Sequence, residues 1–291
     1  MSASGLLAPV VPVLYNPRRF RMNLCAQIPT ALVPRFPMVE PPEVARAAQW
    51  SRELEHQDPV EVIRWADHQF GAGLVIGSSF GKDGLVILDL ARQIRPDIPV
   101  LFLETGYHFP ETLAFRDELK QQWNANIVDV RPEMSVPEQD AAYGFELFAR
   151  DPDRCCAMRK VEPLQRALTG RSAWMTGVRR SQHAGRQATP VVEWQELEAG
   201  GGLYKINPLV NWSLPQVEAY LEAHQIPAHP LWAKGYRSVG CAPCTSPVAA
   251  GEDERAGRWR GRGKVECGIH VAGIRRSAAA AESATTAPEG S

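Results

Sequence analysis

The stretch Gly73-Leu74-Val75-Ile76-Gly77-Ser78-Ser79-Phe80-Gly81-Lys82-Asp83-Gly84 joins a short apolar run to a glycine-rich turn, and residues 85–95 beyond it read as a helix. An apolar run of that length between glycines reads as a buried strand. The turn opens a helix, whose free N–H groups and positive dipole end attract an anion, and Ser79, Gly81, Lys82 and Asp83 are its candidate ligand-binding residues. A Walker A loop is excluded. Gly77-x3-Gly81-Lys82 is one residue short, and Asp83 stands where a magnesium-binding Ser or Thr belongs.

The same alternation extends outward. Residues 59–70 read as a helix before this strand; residues 100–103, 126–130 and 173–177 read as strands, and residues 109–123 as a helix. Strands alternating with helices predict an α/β fold, a Rossmann-like parallel sheet flanked by helices on both faces. Ligands of such sheets bind beyond the carboxyl ends of the strands. Two further turns lie there. Thr105 and Gly106 follow the second strand and suit a ribose or adenine edge, while Arg179, Arg180 and Gln182, with Arg186 beyond, follow the fourth and suit phosphate or sulfate.

The chain has 291 residues, is 44% hydrophobic and carries a formal net charge of -1. It is long enough for a substantial core, and its charge points to neither nucleic acid nor an anionic membrane as partner. No apolar stretch approaches the ~20 residues that span a bilayer. The first residues lack a basic n-region and a cleavage site, so a cytoplasmic location is expected. Repeated prolines mark residues 1–42 as a loose extension, the small polar residues 277–291 read as a disordered tail, and residues 43–276 read as one α/β domain.

Six cysteines complete the pattern. Cys155 and Cys156 are adjacent, Cys241 and Cys244 form a C-x-x-C, Cys267 lies in Glu266-Cys267-Gly268-Ile269-His270, and Cys25 in the extension has no assigned role. In a reducing compartment, two thiol pairs indicate a metal centre rather than disulfides. Zinc and an iron–sulfur cluster both take four thiolates; neighbouring sulfurs fit one tetrahedral ion poorly, whereas a cluster offers each thiolate a different iron. Residues 154–162 look helical, which puts Lys160 on the face of Cys156. Cys267 reads as a nucleophile, with Arg255, Arg258 and His270 nearby in sequence to favour its thiolate.

The turn at Ser79 resembles the S-x-G-x-D turn of the ATP-pyrophosphatase-like (PP-loop) nucleotide hydrolases. Cys155-Cys156-x-x-Arg159-Lys160-Val161-Glu162-Pro163-Leu164, Gly177-x-Arg179-Arg180-x-Gln182, Gly235-Tyr236-x-Ser238-x-Gly240-Cys241-x-Pro243-Cys244-Thr245, Gly257-Arg258-Trp259 and the terminal Glu-Cys-Gly-Ile-His complete a wider match. Over roughly residues 45–273 the chain resembles the assimilatory adenylylsulfate reductases, within the phosphoadenylylsulfate reductase family. That resemblance implies an adenine nucleotide α-hydrolase-like sheet and one 4Fe–4S cluster per subunit on Cys155, Cys156, Cys241 and Cys244. It implies that Cys267 attacks the sulfur of adenosine 5′-phosphosulfate, and that a thioredoxin-like dithiol releases sulfite from the S-sulfonated cysteine. Lys160, Arg179, Arg258 and His270 are then expected to offset substrate charge, and a segment mobile from about residue 255 to carry Cys267 between site and donor. A homo-oligomer is compatible with the sequence.

Two departures bear on the substrate. Gly84 stands where PP-loop relatives often have Ser, and residues 259–266 lack a tryptophan-rich stretch seen in many relatives. Arg260 and Arg262 can accommodate a 3′-phosphate, which makes a 3′-phosphoadenylylsulfate (PAPS) reductase or a dual-specificity enzyme the runner-up. A PP-loop iron–sulfur tRNA-thiolating enzyme would want S-x-G-x-D-S and a more basic surface. A non-catalytic iron–sulfur or zinc sensor would leave Cys267 without a purpose.

Overall fold

The computed structural model describes residues 41–270, so almost all of the Pro-rich extension, Cys25 and the tail from 277 lie outside the described residues. Two helices lead in, α1 (Pro42–Leu54) and α2 (Pro59–Phe70), each with proline in the first turn, where its missing N–H costs nothing. Then β1 (Leu74–Gly77), α3 (Lys82–Ile94), β2 (Val100–Leu103), α4 (Pro110–Gln122) and β3 (Ile127–Val130) follow in strict alternation. Short helices α5 (Val136–Tyr143), α6 (Leu147–Arg150), α7 (Pro152–Cys156) and α8 (Glu162–Leu168) precede β4 (Ala173–Met175). The chain ends its regular structure with β5 (Val192–Glu196), β6 (Gly202–Ile206) and α9 (Leu214–Ala223).

The strands form one sheet in the order β3-β2-β1-β4-β6-β5. Strand order reverses between β1 and β4, whose register pairs Leu74 with Ala173 and Ile76 with Met175. That reversal opens a crevice above their carboxyl ends. The central strands β1, β2 and β4 are buried on both faces, as their unbroken apolar runs require, whereas β3 exposes Val128 and Asp129. Leu74, Ile76, Val100, Phe102 and Met175 join the core under α2 and α3, whereas Val75, Leu101 and Trp174 point the other way and meet Leu164 and Leu168 of α8.

The sequence-based strands and helices are all present with ends moved by one to three residues, save that a described α-helix runs only in part through 154–162. There, five residues of π-type turn (Ala157–Val161) lie between α7 and α8, which extends the helical path to Leu168. The sheet is not wholly parallel. Its edge strand β5 runs antiparallel to β6, joined through Gly200 and Gly201 in the left-handed region, a hairpin that sequence reading left unassigned together with α1 and α9.

One buried histidine gives this core a pH-dependent weakness. His229 accepts from the Leu231 N–H through Nδ1 at 3.2 Å, so its Nε2–H faces Thr112 Oγ1 at 3.1 Å and the ring is held neutral. Burial pushes its pKa from 6.5 down to about 4. The unfolded chain therefore takes up this proton first. Stability is expected to fall as pH drops below about 6.5, by roughly 1 kcal/mol at pH 5.5 and roughly 3 kcal/mol below pH 4. Urea titrations across that range should show the slope in the parent and its reduction in His229→Asn.

Candidate active site and thiol centre

The turn after β1 is built around a strained residue. Phe80 has φ 57°, a left-handed conformation that costs a non-glycine residue of order 1 kcal/mol. Complete burial, stacking on Phe102 at a ring separation of 5.3 Å, and a hydrogen bond from its N–H to Ser78 Oγ at 3.1 Å hold it there. Gly84 makes room for that Ser78 hydroxyl: a Cβ at Gly84 would lie 2.5 Å from it. Across the crevice the turn after β4 packs directly on the start of α3, where a Cβ at Gly177 would come within 2.8 Å of Asp83 Cβ.

Ser79, Gly81, Lys82, Asp83, Thr105, Lys160, Gln182, Arg186, Arg255, Arg258, Cys267 and His270 all line one cleft over this crevice. Residues 190 positions apart in sequence thus meet, as the sheet's switch point requires. Gly106, Arg179 and Arg180 do not line it. Gly106 (φ 75°) turns the chain beneath Arg159, and its N–H donates to Glu104 Oε1 at 2.8 Å. Arg179 is fully buried behind the cleft, paired with Asp83 and with Glu254 at 3.1 Å, and donating to Ser181 Oγ at 2.7 Å. Arg180 points outward to Glu55 and Asn211. The expectation that Arg179 offsets ligand charge is corrected here: its charge is spent on two carboxylates. Asp83 itself is held by Arg179 and by Gln182 Nε2 at 2.9 Å, so it braces the wall.

The remaining cations converge on the Cys267 side. Glu266 accepts from Arg186 Nε at 2.7 Å and Arg255 Nη2 at 3.2 Å, and pairs with His183 Nε2 at 2.7 Å. Burial works against the Glu266 charge, but Arg255, Arg186 and His183 outweigh it and hold its pKa below the ordinary carboxylate value. Arg258 is half-buried, with Nη1 3.4 Å from the Val239 carbonyl and a buried Nε that has no hydrogen-bond partner among the described residues. His270 stacks on Trp174 at 6.0 Å, with Nδ1 likewise unpartnered. Burial, then Lys205, Arg186 and Arg255, push its pKa well below 6.5. The expected charge on His270 is therefore also corrected: it is a neutral ring that can exchange hydrogen bonds. Two unpartnered polar atoms in a cleft rimmed by arginines indicate an anion site.

Beside this cleft, Cys155, Cys156, Cys241 and Cys244 line a second, smaller cavity walled by Tyr107, Phe148 and Trp259. All four are buried and free, and Cys267 packs in the same apolar cluster. Burial, then its neighbours Cys156, Cys241 and Cys244, push the Cys155 thiol up to about 12, and burial pushes Cys156 to about 11. Burial raises Cys241 too, yet Lys160, Thr105 and Arg258 outweigh it and bring that thiol below its ordinary value. The Lys160 ammonium is buried among Cys241, Cys267 and Cys156, whose influence raises its pKa against the opposing effect of burial. The π-type turn therefore keeps Lys160 toward Cys156, as the sequence suggested. Among the described residues no group of three or more His, Cys, Asp or Glu is placed to hold a single metal ion. The donor set is nonetheless all sulfur, in two pairs around one dry cavity, which suits soft thiophilic iron or zinc.

Sequence reasoning missed Arg159, Glu254 and Glu266. Arg159 is buried and ties the helical segment to the β2 turn, donating to the Thr105 carbonyl, to Gln139 Oε1 at 2.9 Å and to the Met134 carbonyl at 3.2 Å. It stood inside a quoted motif, but nothing in its spacing marks it as a brace.

Residues 73–247 match the family model described as phosphoadenosine phosphosulfate reductase domain. An adenosine 5′-phosphosulfate reductase of Streptomyces coelicolor is 46% identical, over 78% of this chain and 94% of that protein. The phosphoadenosine 5′-phosphosulfate reductase of Gloeobacter violaceus is 44% identical, over 76% and 92%. Among solved structures, a phosphoadenylyl-sulfate reductase from Candida auris in a phosphate complex superposes with a TM-score of 0.60 at 33% identity, covering 70% of this chain and 97% of that one.

The two adjacent arginines should separate in a denaturation experiment. Arg179→Ala leaves Asp83 and Glu254 buried and uncompensated, and should lower stability by about 3–5 kcal/mol. Arg180→Ala removes a half-exposed pair and should cost at most about 1 kcal/mol. Equal urea midpoints for the two variants would contradict the roles given to them.

Proposed function

The chain belongs to the phosphoadenosine phosphosulfate reductase family, and from that premise we propose that it reduces adenosine 5′-phosphosulfate to sulfite and AMP through Cys267. The observation that carries this reading is that Cys267 opens into the cleft shared by the Ser79–Asp83 turn and by Lys160, Arg186, Arg255 and Arg258. The adenosine end would lie over the β1 and β2 turns, against Ser79, Gly81 and Thr105. The phosphosulfate would lie among the arginines, where the unpartnered Arg258 Nε and His270 Nδ1 supply hydrogen-bonding atoms.

The Cys267 thiolate attacks the sulfur of the phosphosulfate, the S–O bond to phosphate breaks, and AMP leaves with the bonding pair. Lys160 and Arg258 line the cleft beside Cys267 and would offset the charge that develops on the leaving oxygen. A dithiol donor such as thioredoxin then attacks Cys267 Sγ, sulfite departs, and the donor's second thiol resolves the mixed disulfide, so the two electrons come from the donor. Cys267 is only 9% exposed, so this second half requires the segment carrying it to leave its seat. We assign Cys155, Cys156, Cys241 and Cys244 to one 4Fe–4S cluster. When bound it supplies fixed charge and order beside Lys160, while thiol exchange supplies the electrons. A single reductase domain over residues 43–276 and a cytoplasmic location complete the reading; among the described residues no helix is long and apolar enough to cross a membrane.

A 3′-phosphorylated substrate is the second reading, because one close relative bears that name. Against it, neither arginine set aside for that phosphate lines the cleft. Arg260 makes a two-pronged pair with Glu252 at 2.9 Å, and Arg262 turns to the thiol centre. A sulfite-release assay with both sulfonucleotides and a dithiol donor should show higher kcat/KM for adenosine 5′-phosphosulfate; a preference for the 3′-phosphorylated form would reverse the assignment. Cys267→Ser should keep a brown, folded protein that releases no sulfite. Cys156→Ala should lose the visible absorption, and a colourless, zinc-containing parent purified without oxygen would exclude the cluster.

A further inference from the structure

Arg262 lies five residues before the nucleophile, in a connection that its glycines would make slack. It is not slack here. Gly261 (φ 77°) and Gly263 (φ 62°) both adopt left-handed backbone, with open space where a Cβ would stand, so glycine is required there by the path of the chain and not by crowding. Between them the Arg262 N–H donates to the Trp259 carbonyl at 2.9 Å, and the Trp259 N–H in turn donates to the Cys244 carbonyl at 2.9 Å. The turn thus presents one side chain inward. The guanidinium of Arg262 donates to three acceptors of the thiol centre's wall: the Phe148 carbonyl at 2.7 Å, the Pro243 carbonyl at 3.3 Å and Cys244 Sγ at 3.6 Å.

We infer that Arg262 is a positioning residue that couples the seat of the Cys267 segment to the sulfur of Cys244. The physical reason is that an N–H···S bond strengthens when the sulfur is an anionic thiolate and not a thiol. Carbonyl contacts alone would hold the segment equally in any state of the centre. The sulfur contact makes the hold depend on the charge at Cys244. Beyond Arg262 the segment is clasped at Lys264 by Asp153, at the Val265 carbonyl by Arg255 at 2.9 Å, and at Glu266 by Arg186, Arg255 and the His183 ring. Arg262 is the member of this series that touches a cysteine. The coupling runs both ways: the segment, when seated, places a cationic donor on Cys244 and alters the electronic state of any metal bound there.

The inference rests on the iron–sulfur reading of the four cysteines, and the test separates the two. Anaerobically purified parent, Arg262→Ala and Arg262→Lys are compared by visible spectrum, by reduction potential of the centre, and by the rate at which iodoacetamide alkylates Cys267, located by peptide mass. Arg262→Ala is expected to retain its iron, to shift the potential, and to raise the alkylation rate about tenfold; Arg262→Lys, which keeps charge but not the planar fork, should fall between. Asp153→Asn, which loosens the clasp on Lys264 and leaves every cation beside the sulfurs in place, should raise alkylation and leave the potential where it was. An iron-free, colourless parent would refute the cluster reading. A coloured Arg262→Ala protein with the parent's potential, or with the parent's alkylation rate, would overturn the coupling.

Discussion

The buried ammonium of Lys160 is the constraint on which the rest of the site depends. A charge removed from water must be met by opposite charge, and around Lys160 the available groups are thiols: Cys156, Cys241 and Cys267. This single requirement binds together three parts of the chain far apart in sequence. The helical segment brings the ammonium, the C-x-x-C brings a sulfur whose thiolate it favours, and the terminal segment brings Cys267. Arg159, next in sequence, fixes the segment's orientation by donating to carbonyls and Gln139, so that the ammonium is delivered while the guanidinium is consumed as structure.

The distribution of cations elsewhere follows from the same logic in reverse. Near the sheet, Arg179 meets Asp83 and Glu254, and the resulting buried network fixes the β4 turn against the start of α3. Next to Cys267, Glu266 gathers Arg186, Arg255 and His183. An arginine in a cleft is therefore not by itself a binding group. What distinguishes Arg258 is an Nε left without a partner in a buried position, which a ligand oxygen can satisfy.

Much of this was legible in the sequence. The apolar runs of β1, β2 and β4 declared those strands because strands buried on both faces read as continuous apolar runs. The spacing of Cys155, Cys156, Cys241, Cys244 and Cys267 singled out the thiols that the fold gathers in and beside the cleft. The β5–β6 hairpin escaped because its edge strand carries Glu193, Gln195 and Glu196 among its apolar residues, and burial of Gln195 against the Trp174 indole is a matter of the fold. Partnership escaped for a different reason. The sequence displays Arg179, Arg180 and Arg186 as equivalent anion ligands, and only the fold reveals that all three face carboxylates, of Asp83 and Glu254, of Glu55 and of Glu266, and that only Arg186 also lines the cleft. Burial was equally invisible at His270, whose lost charge depends on Trp174 and on three cations from distant segments.

The π-type turn at Ala157–Val161 sets a helical phase. Each residue in an α-helix advances the direction of the side chains by about 100°, and a widened turn slips that count. Upstream of the slip, Cys155 and Cys156 look toward Cys241 and Cys244; downstream, Leu164 and Leu168 look toward the sheet. The two halves of one helical path thereby serve two different cores. Loss of a single codon within the turn would restore regular winding and force a choice between them.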